Sequence, residues 1–214
     1  MTPLTAACEP VRLSLHSGAA AIMKIYGDLN SGNCLKVKWV SDRLALPYTW
    51  IEVDTMKGAS RTPEFLKLNG AGQVPVVILD DGRALAQSNA IIRYLARDSD
   101  LVPHSPYLAA KMDEWLFWEQ YSHEPYIAVC RFQMVYLGKS QGDLDTDKVK
   151  RGYAALALME HQLHKTRFLV GGSMTLADVS LLAYTRAAHE GGFHLDGYAA
   201  VRRWIAESEK SLGL

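Results

Sequence analysis

The sequence predicts an α/β domain followed by an all-helical domain. Three observations carry this. Strand and helix patterns alternate over residues 23–98. Pro103 and Pro106 then mark a linker over residues 99–106. Beyond it, residues 107–214 carry helical spacing and loops with no further strand pattern, which is the signature of a helical bundle.

The elements follow in order. Lys24 to Gly27 reads as a short strand closed by glycine. Ser31-Gly32-Asn33 is a helix-start signal, and Leu35, Val37, Val40 and Leu44 continue it at helical spacing. Tyr48 to Val53 is a second strand. Thr62-Pro63-Glu64 opens a short helix through Leu68, because proline is favoured in a first helical turn. Val74 to Leu79 is a buried strand entered through Pro75, and Asp80-Asp81-Gly82 is a hairpin turn returning through Arg83 to Ala86. Ser88 begins a helix carrying Ile91, Ile92 and Leu95. The order is βαβ and then αββα, with the first two strands parallel and the hairpin antiparallel. In the second half, Tyr107 to about Leu137 reads as one helix kinked at Pro125. Helices over Asp147 to Lys165, Thr175 to about Glu190 and Tyr198 to Leu212 follow it.

Composition narrows the function. Hydrophobic residues make up 49% and charged residues 21% of the 214, as in an ordinary globular protein. Lys plus Arg equals Asp plus Glu at 23 each, which argues against a nucleic-acid partner. No apolar run reaches the roughly 18 residues of a membrane span. Cys8, Cys34 and Cys130 are odd in number and far apart, so they suggest neither a disulfide framework nor a metal site. Free thiols of this kind suit the cytoplasm. Residues 1–22 lack the basic start of a signal peptide and read as a disordered extension or a misassigned start before Met23.

The motif Gln73-Val74-Pro75-Val76-Val77, followed by the Asp81-Gly82 turn and by Gln87-Ser88 at a helix start, resembles the glutathione-binding half of the glutathione transferase superfamily. The likeness runs from Met23 to the C-terminus. It implies a thioredoxin-like first domain, a cis Val74–Pro75 bond, and a Val74 backbone that pairs with the cysteinyl unit of glutathione as an added strand would. It implies that Gln87 and Ser88 hold the γ-glutamyl carboxylate. A helix N-terminus suits that task, since its free N–H groups and dipole favour an anion. Arg61 would meet the glycine carboxylate, with Gln73 in a similar role. Ser60 departs from the basic pair that relatives place before this helix.

Two residues compete for the sulfur. Ser31-Gly32-Asn33-Cys34-Leu35-Lys36-Val37 matches the Ser-x-x-Cys-x-x-Val pattern of relatives whose catalytic hydroxyl is a serine. Ser31 would then stabilise the glutathione thiolate, assisted by the adjacent helix N-terminus. Asn33 matches a bacterial Ser-x-Asn subgroup that resembles glutathione-dependent disulfide-bond reductases. The resemblance therefore implies conjugation of glutathione, as co-substrate, to a small hydrophobic electrophile. Its rivals are disulfide reduction and a non-catalytic binding module on the same fold. It implies no metal or other cofactor, and a homodimer. Tyr121 and Tyr126, near Pro125, are candidates for the second-substrate pocket. Thr175 and Asp178 form a structural capping box rather than a catalytic pair.

Overall fold

A computed structural model describes residues 22–214; the extension, apart from Ile22, and Cys8 lie outside the described residues. Strands β1 (Met23–Gly27) and β2 (Tyr48–Glu52) flank helix α1 (Gly32–Arg43). Helix α2 (Pro63–Leu68) leads to β3 (Val76–Ile78), β4 (Ala84–Ala86) and α3 (Ser88–Leu95). The sheet order is β2-β1-β3-β4. Strand β1 pairs parallel to β2 and antiparallel to β3, while β3 pairs antiparallel to β4. This is the thioredoxin-like arrangement. Gly82, with φ +85°, supplies the left-handed turn of the β3–β4 hairpin.

Helices α4 (Pro106–Trp118), α5 (Glu124–Val135), α6 (Thr146–Lys165), α7 (Leu176–Thr185) and α8 (Ala199–Leu212) complete the chain. One buried core spans both parts, with Val37, Val40, Ile91 and Ile92 of the first domain packed together with Trp115, Leu116, Val179 and Leu182 of the second. Smaller clusters lie around Ile127 and Phe193 and around Val53 and Phe65.

Two expectations need correction. The expected helix from Tyr107 is broken before Pro125, by a π-helical segment at Glu119–His123. Pro125 instead sits in the first turn of α5, where its missing N–H leaves no helical bond unmade. The wider turn buries Glu119 and His123 completely and turns Tyr121 outward. The expected helix from Thr175 also ends early, at Thr185, and a short 3-10 turn at Ala188–Gly191 follows. Gly191 lies so close to the backbone of Arg131 in α5 that a Cβ would sit 2.8 Å from its nitrogen.

Candidate active site

The loop between β1 and α1 sets the first wall. Asp28 accepts the backbone N–H of Asn30 at 2.8 Å and the hydroxyl of Thr55 at 3.2 Å. Its carbonyl accepts the N–H of Ser31 at 3.0 Å, which leaves Ser31 as the N-cap of α1. Gly32 follows because the ring of Tyr184 leaves no room for a side chain; a Cβ there would stand 2.7 Å from two ring atoms.

The second wall is built from backbone. The Val74–Pro75 peptide is cis, and Val74 precedes the β3 ladder, which begins at Val76. Gln87 adopts φ +69° and ψ +110° as the chain leaves β4 and enters α3. A non-glycine residue there is strained, and such strain clusters at functional sites. Arg61 lies across Gly72 and donates to the carbonyl of Ala71 at 3.1 Å, leaving its remaining donors to the cleft. Gly72, with φ +62°, leaves space for it.

Between these walls is a cavity of 380 Å³. Asn33, Arg61, Gln73, Val74, Pro75, Gln87 and Ser88 all line it, together with Gln120 and Glu124 from the helical part. Ser31 lies in a recess of 140 Å³ that shares Thr55, Met56, Val74 and Phe132 with that cavity. Tyr184, Ala128 and Tyr136 also line the recess.

Tyr121 and Tyr126 line neither space. Tyr121 is 83% exposed, and the Tyr126 hydroxyl accepts from Arg151 at 3.3 Å, toward α6. Regular helical spacing cannot place them correctly, because the π-helical turn rotates the residues around it. The aromatic wall at this end of the cleft is Phe132 and Tyr136, whose rings stack with centroids 5.3 Å apart.

Side chains join the two parts behind the cleft. Asn33 Nδ2 donates to Glu124 Oε1 at 2.8 Å. Its Oδ1 accepts from Lys36 Nζ at 2.8 Å and from Ser88 Oγ at 2.9 Å. Lys36 Nζ also bonds Glu119 Oε1 at 2.8 Å, and both side chains are fully buried. Burial works to raise the Glu119 carboxyl, but Lys36 and His123 outweigh it and hold it below the usual range. Glu124 is pushed up by burial. Its carboxylate also accepts from Gln120. The Cys34 thiol is buried and pushed up to about 11, chiefly by desolvation, so it is a poor nucleophile at neutral pH. The Tyr184 phenol is likewise raised by burial and stays protonated, and it accepts the Asn33 N–H at 3.4 Å.

Lys36, Glu119, Gln120 and Tyr184 are not marked by the sequence; the pair His123-Glu124 near Pro125 is, but it reads there as structural. One signal was present: Lys36 stands three residues after Asn33 and four before Val40, on the buried face of α1. The capping box is where the sequence puts it. Asp178 accepts the N–H and hydroxyl of Thr175 at 2.8 and 3.0 Å. It also accepts the Leu169 N–H at 2.9 Å and the Trp204 indole at 2.8 Å. Among the described residues no His/Cys/Asp/Glu cluster could hold a metal ion, and no helix is long and apolar enough to cross a membrane.

A thioredoxin-like sheet, a cleft that ends on a helix N-terminus, and a helical cap over its open side define a class of glutathione-using proteins. Comparison agrees. Residues 30–98 match the family described as glutathione S-transferase, N-terminal domain, and residues 145–207 match its C-terminal domain. Glutathione S-transferase 3 of Zea mays is 32% identical over 169 residues, covering 75% of each chain. Glutathione S-transferase 2 of Anopheles gambiae is 30% identical, covering 81% of this chain and 84% of its own. A glutathione S-transferase from Pseudomonas fluorescens superposes with a TM-score of 0.85 at 44% identity, over 88% of this chain and 94% of that one. One from Xanthobacter autotrophicus gives 0.83 at 40%, over 87% and 92%. The chain belongs to the glutathione S-transferase family and is a transferase of bacterial type.

Proposed function

We propose that the cleft binds glutathione along Arg61, Gln73, Val74, Pro75, Gln87 and Ser88, and that the bound thiolate attacks a small hydrophobic electrophile. The observation that carries this is the single cavity lined by all six of those residues together with Asn33. The first N–H groups of α3 would receive the γ-glutamyl carboxylate. The Val74 backbone would hold the cysteinyl unit, and the sulfur would lie toward Ser31, Asn33 and the N-terminus of α1. The electrophile would rest on Met56, Phe132 and Tyr136 in the adjoining recess. A sulfur–carbon bond forms as the leaving group departs with its electron pair. No protein nucleophile is required, which suits the buried Cys34. Glutathione is then a co-substrate, and the chemistry calls for no cofactor.

Disulfide reduction is the second reading, favoured by one observation: Asn33 lines the main cavity and Ser31 only its side recess. There the thiolate attacks a disulfide, and a second glutathione resolves the mixed disulfide to give oxidised glutathione. Assays with an aryl halide and with a small disulfide, run on wild type, Ser31→Ala and Asn33→Ala, separate the two. Aryl-halide turnover that Ser31→Ala lowers far more than it lowers glutathione affinity supports conjugation. Faster disulfide turnover that depends on Asn33 overturns it. A protein that calorimetry shows to bind no glutathione at millimolar ligand would be a binding module only.

The proposal extends to assembly and location. Phe117 is 76% exposed beside an apolar groove between α3 and α4 that Ala90 and Leu116 also line. A second copy of the chain would cover this face, and Phe117→Glu should leave a monomer in sedimentation. Free Cys34 and Cys130 fit a cytoplasmic setting.

A further inference from the structure

Lys36 is a lysine with no solvent exposure, and its ammonium touches two acceptors: Glu119 Oε1 and Asn33 Oδ1, each at 2.8 Å. Such a pair is an unpromising source of stability. Taking two charges out of water costs roughly what their attraction returns, and apolar residues of similar volume do as well. Its geometry has a different consequence. An ammonium has donors and no acceptor, so it dictates which end of the Asn33 amide faces it. The oxygen must turn to Lys36, where the Ser88 hydroxyl also meets it at 2.9 Å. The NH2 group must therefore turn the other way. One of its protons bonds Glu124 Oε1 at 2.8 Å, and the other remains for the cleft that Asn33 lines.

Resting on the reading that glutathione sulfur is activated in this cleft, we infer that Lys36 is a positioning residue: it locks the Asn33 amide so that a donor, never the carbonyl oxygen, faces the thiolate. Glu119 holds Lys36 in turn, and its other oxygen accepts from Asn89 at 3.2 Å, Gln120 at 2.7 Å and Ser180 at 3.2 Å. The lock thus joins α1 and α3 to the π-helical turn and α7. The Lys36 ammonium also stands 5.9 Å from the ring centre of Tyr184, whose hydroxyl lies beside the Ser31 recess. Without Lys36 only the Ser88 hydroxyl and the Glu124 carboxylate hold the amide, so it is fixed less firmly and can turn its oxygen toward the sulfur, which would repel a thiolate.

The test is the ultraviolet titration of the thiol of bound glutathione, with steady-state kinetics, in Asn33→Ala, Lys36→Met and Lys36→Met/Glu119→Gln. The double variant leaves no lone buried charge and serves if Lys36→Met fails to fold. Removing Lys36 should raise the pKa of the bound thiol by about one unit and lower kcat about tenfold below that pKa. KM for glutathione should change much less. Adding Asn33→Ala should cost nothing more, since both act through one amide. A folded Lys36 variant that binds glutathione and titrates as wild type, while Asn33→Ala shifts, overturns the inference and leaves the role of Asn33 intact. An Asn33→Ala protein that titrates as wild type overturns both.

Discussion

Asp178 and Glu119 are both carboxylates with no solvent exposure, and they are satisfied in opposite ways. Asp178 accepts four hydrogen bonds from neutral donors, all within the helical part and two of them from Thr175 three residues away. Glu119 is met by a cation from α1, 83 positions distant, and by side chains of α3 and α7. The first carboxylate closes a helix end and helps hold α7 to α8. The second couples the sulfur-facing wall of the cleft to the helices over it. A buried acid therefore has no fixed meaning; its partners decide whether it serves local folding or reaches the site.

Removing each acid sharpens that contrast. Glu119→Leu leaves the Lys36 ammonium buried without a carboxylate, which should cost about 3–5 kcal/mol. Denaturant unfolding would show this, and kcat should fall with it while KM for glutathione changes much less, because Asn33 loses its support. Asp178→Ala strands buried donors and should cost about 2–4 kcal/mol, while the kinetics of the protein that folds stay as in wild type. Selective loss of turnover in Asp178→Ala, or wild-type turnover in folded Glu119→Leu, would break the comparison.

The same contrast explains what could be read from the sequence. The box at Asp178 was legible because Thr175 and Asp178 are three residues apart and a helix fixes their geometry. The Gln73-to-Ser88 wall was legible for a related reason: it is made of backbone turns, with proline and the Gln87-Ser88 helix start as markers. Glu119 and Lys36 were not legible. Nothing near either one in sequence announces a partner across the fold. The π-helical turn was hidden too, since helical periodicity runs on through it without a breaking residue, and this misplaced Tyr121 and Tyr126. Phe132 and Tyr136 lie a turn or more beyond Pro125, where the sequence offered no reason to favour them.

His123, beside Glu119, adds a pH dependence. The Thr185 hydroxyl donates its proton to the Leu181 carbonyl at 2.7 Å, so it must accept from His123 Nε2, 2.9 Å away. Nδ1 is then unprotonated and buried without a partner. Burial pushes the imidazole from 6.5 down to about 4, with Glu119 opposing and Lys36 reinforcing. Above pH 6.5 neither state is charged and stability is unaffected. Between 6.5 and about 4 the unfolded chain takes up a proton that the native state refuses, so stability falls as the pH falls. The loss should be about 2 kcal/mol at pH 5. His123→Gln should flatten this slope in denaturant midpoints measured from pH 7 to pH 5; an unchanged slope would assign it to other groups.

Two smaller changes probe the wall built from backbone. Ser88→Ala removes one of the two donors on Asn33 Oδ1 and a hydroxyl lining the cavity. It should weaken glutathione binding by about 3–10-fold in calorimetry with little effect on folding. Gln87→Gly tests strain against contact. The native residue holds φ +69°, a conformation that costs a non-glycine residue about 1–3 kcal/mol. Glycine relieves that cost, though it loses about 0.5–1 kcal/mol through greater freedom in the unfolded chain. The net effect should be a melting temperature equal to wild type or slightly higher. Glutathione affinity should still fall a few-fold, because the side chain lining the cavity is gone. A lower melting temperature would mean that Gln87 holds the fold together here. Higher stability with weaker binding would mean that the cleft keeps a strained residue for its ligand, as the coupled wall keeps a buried cation.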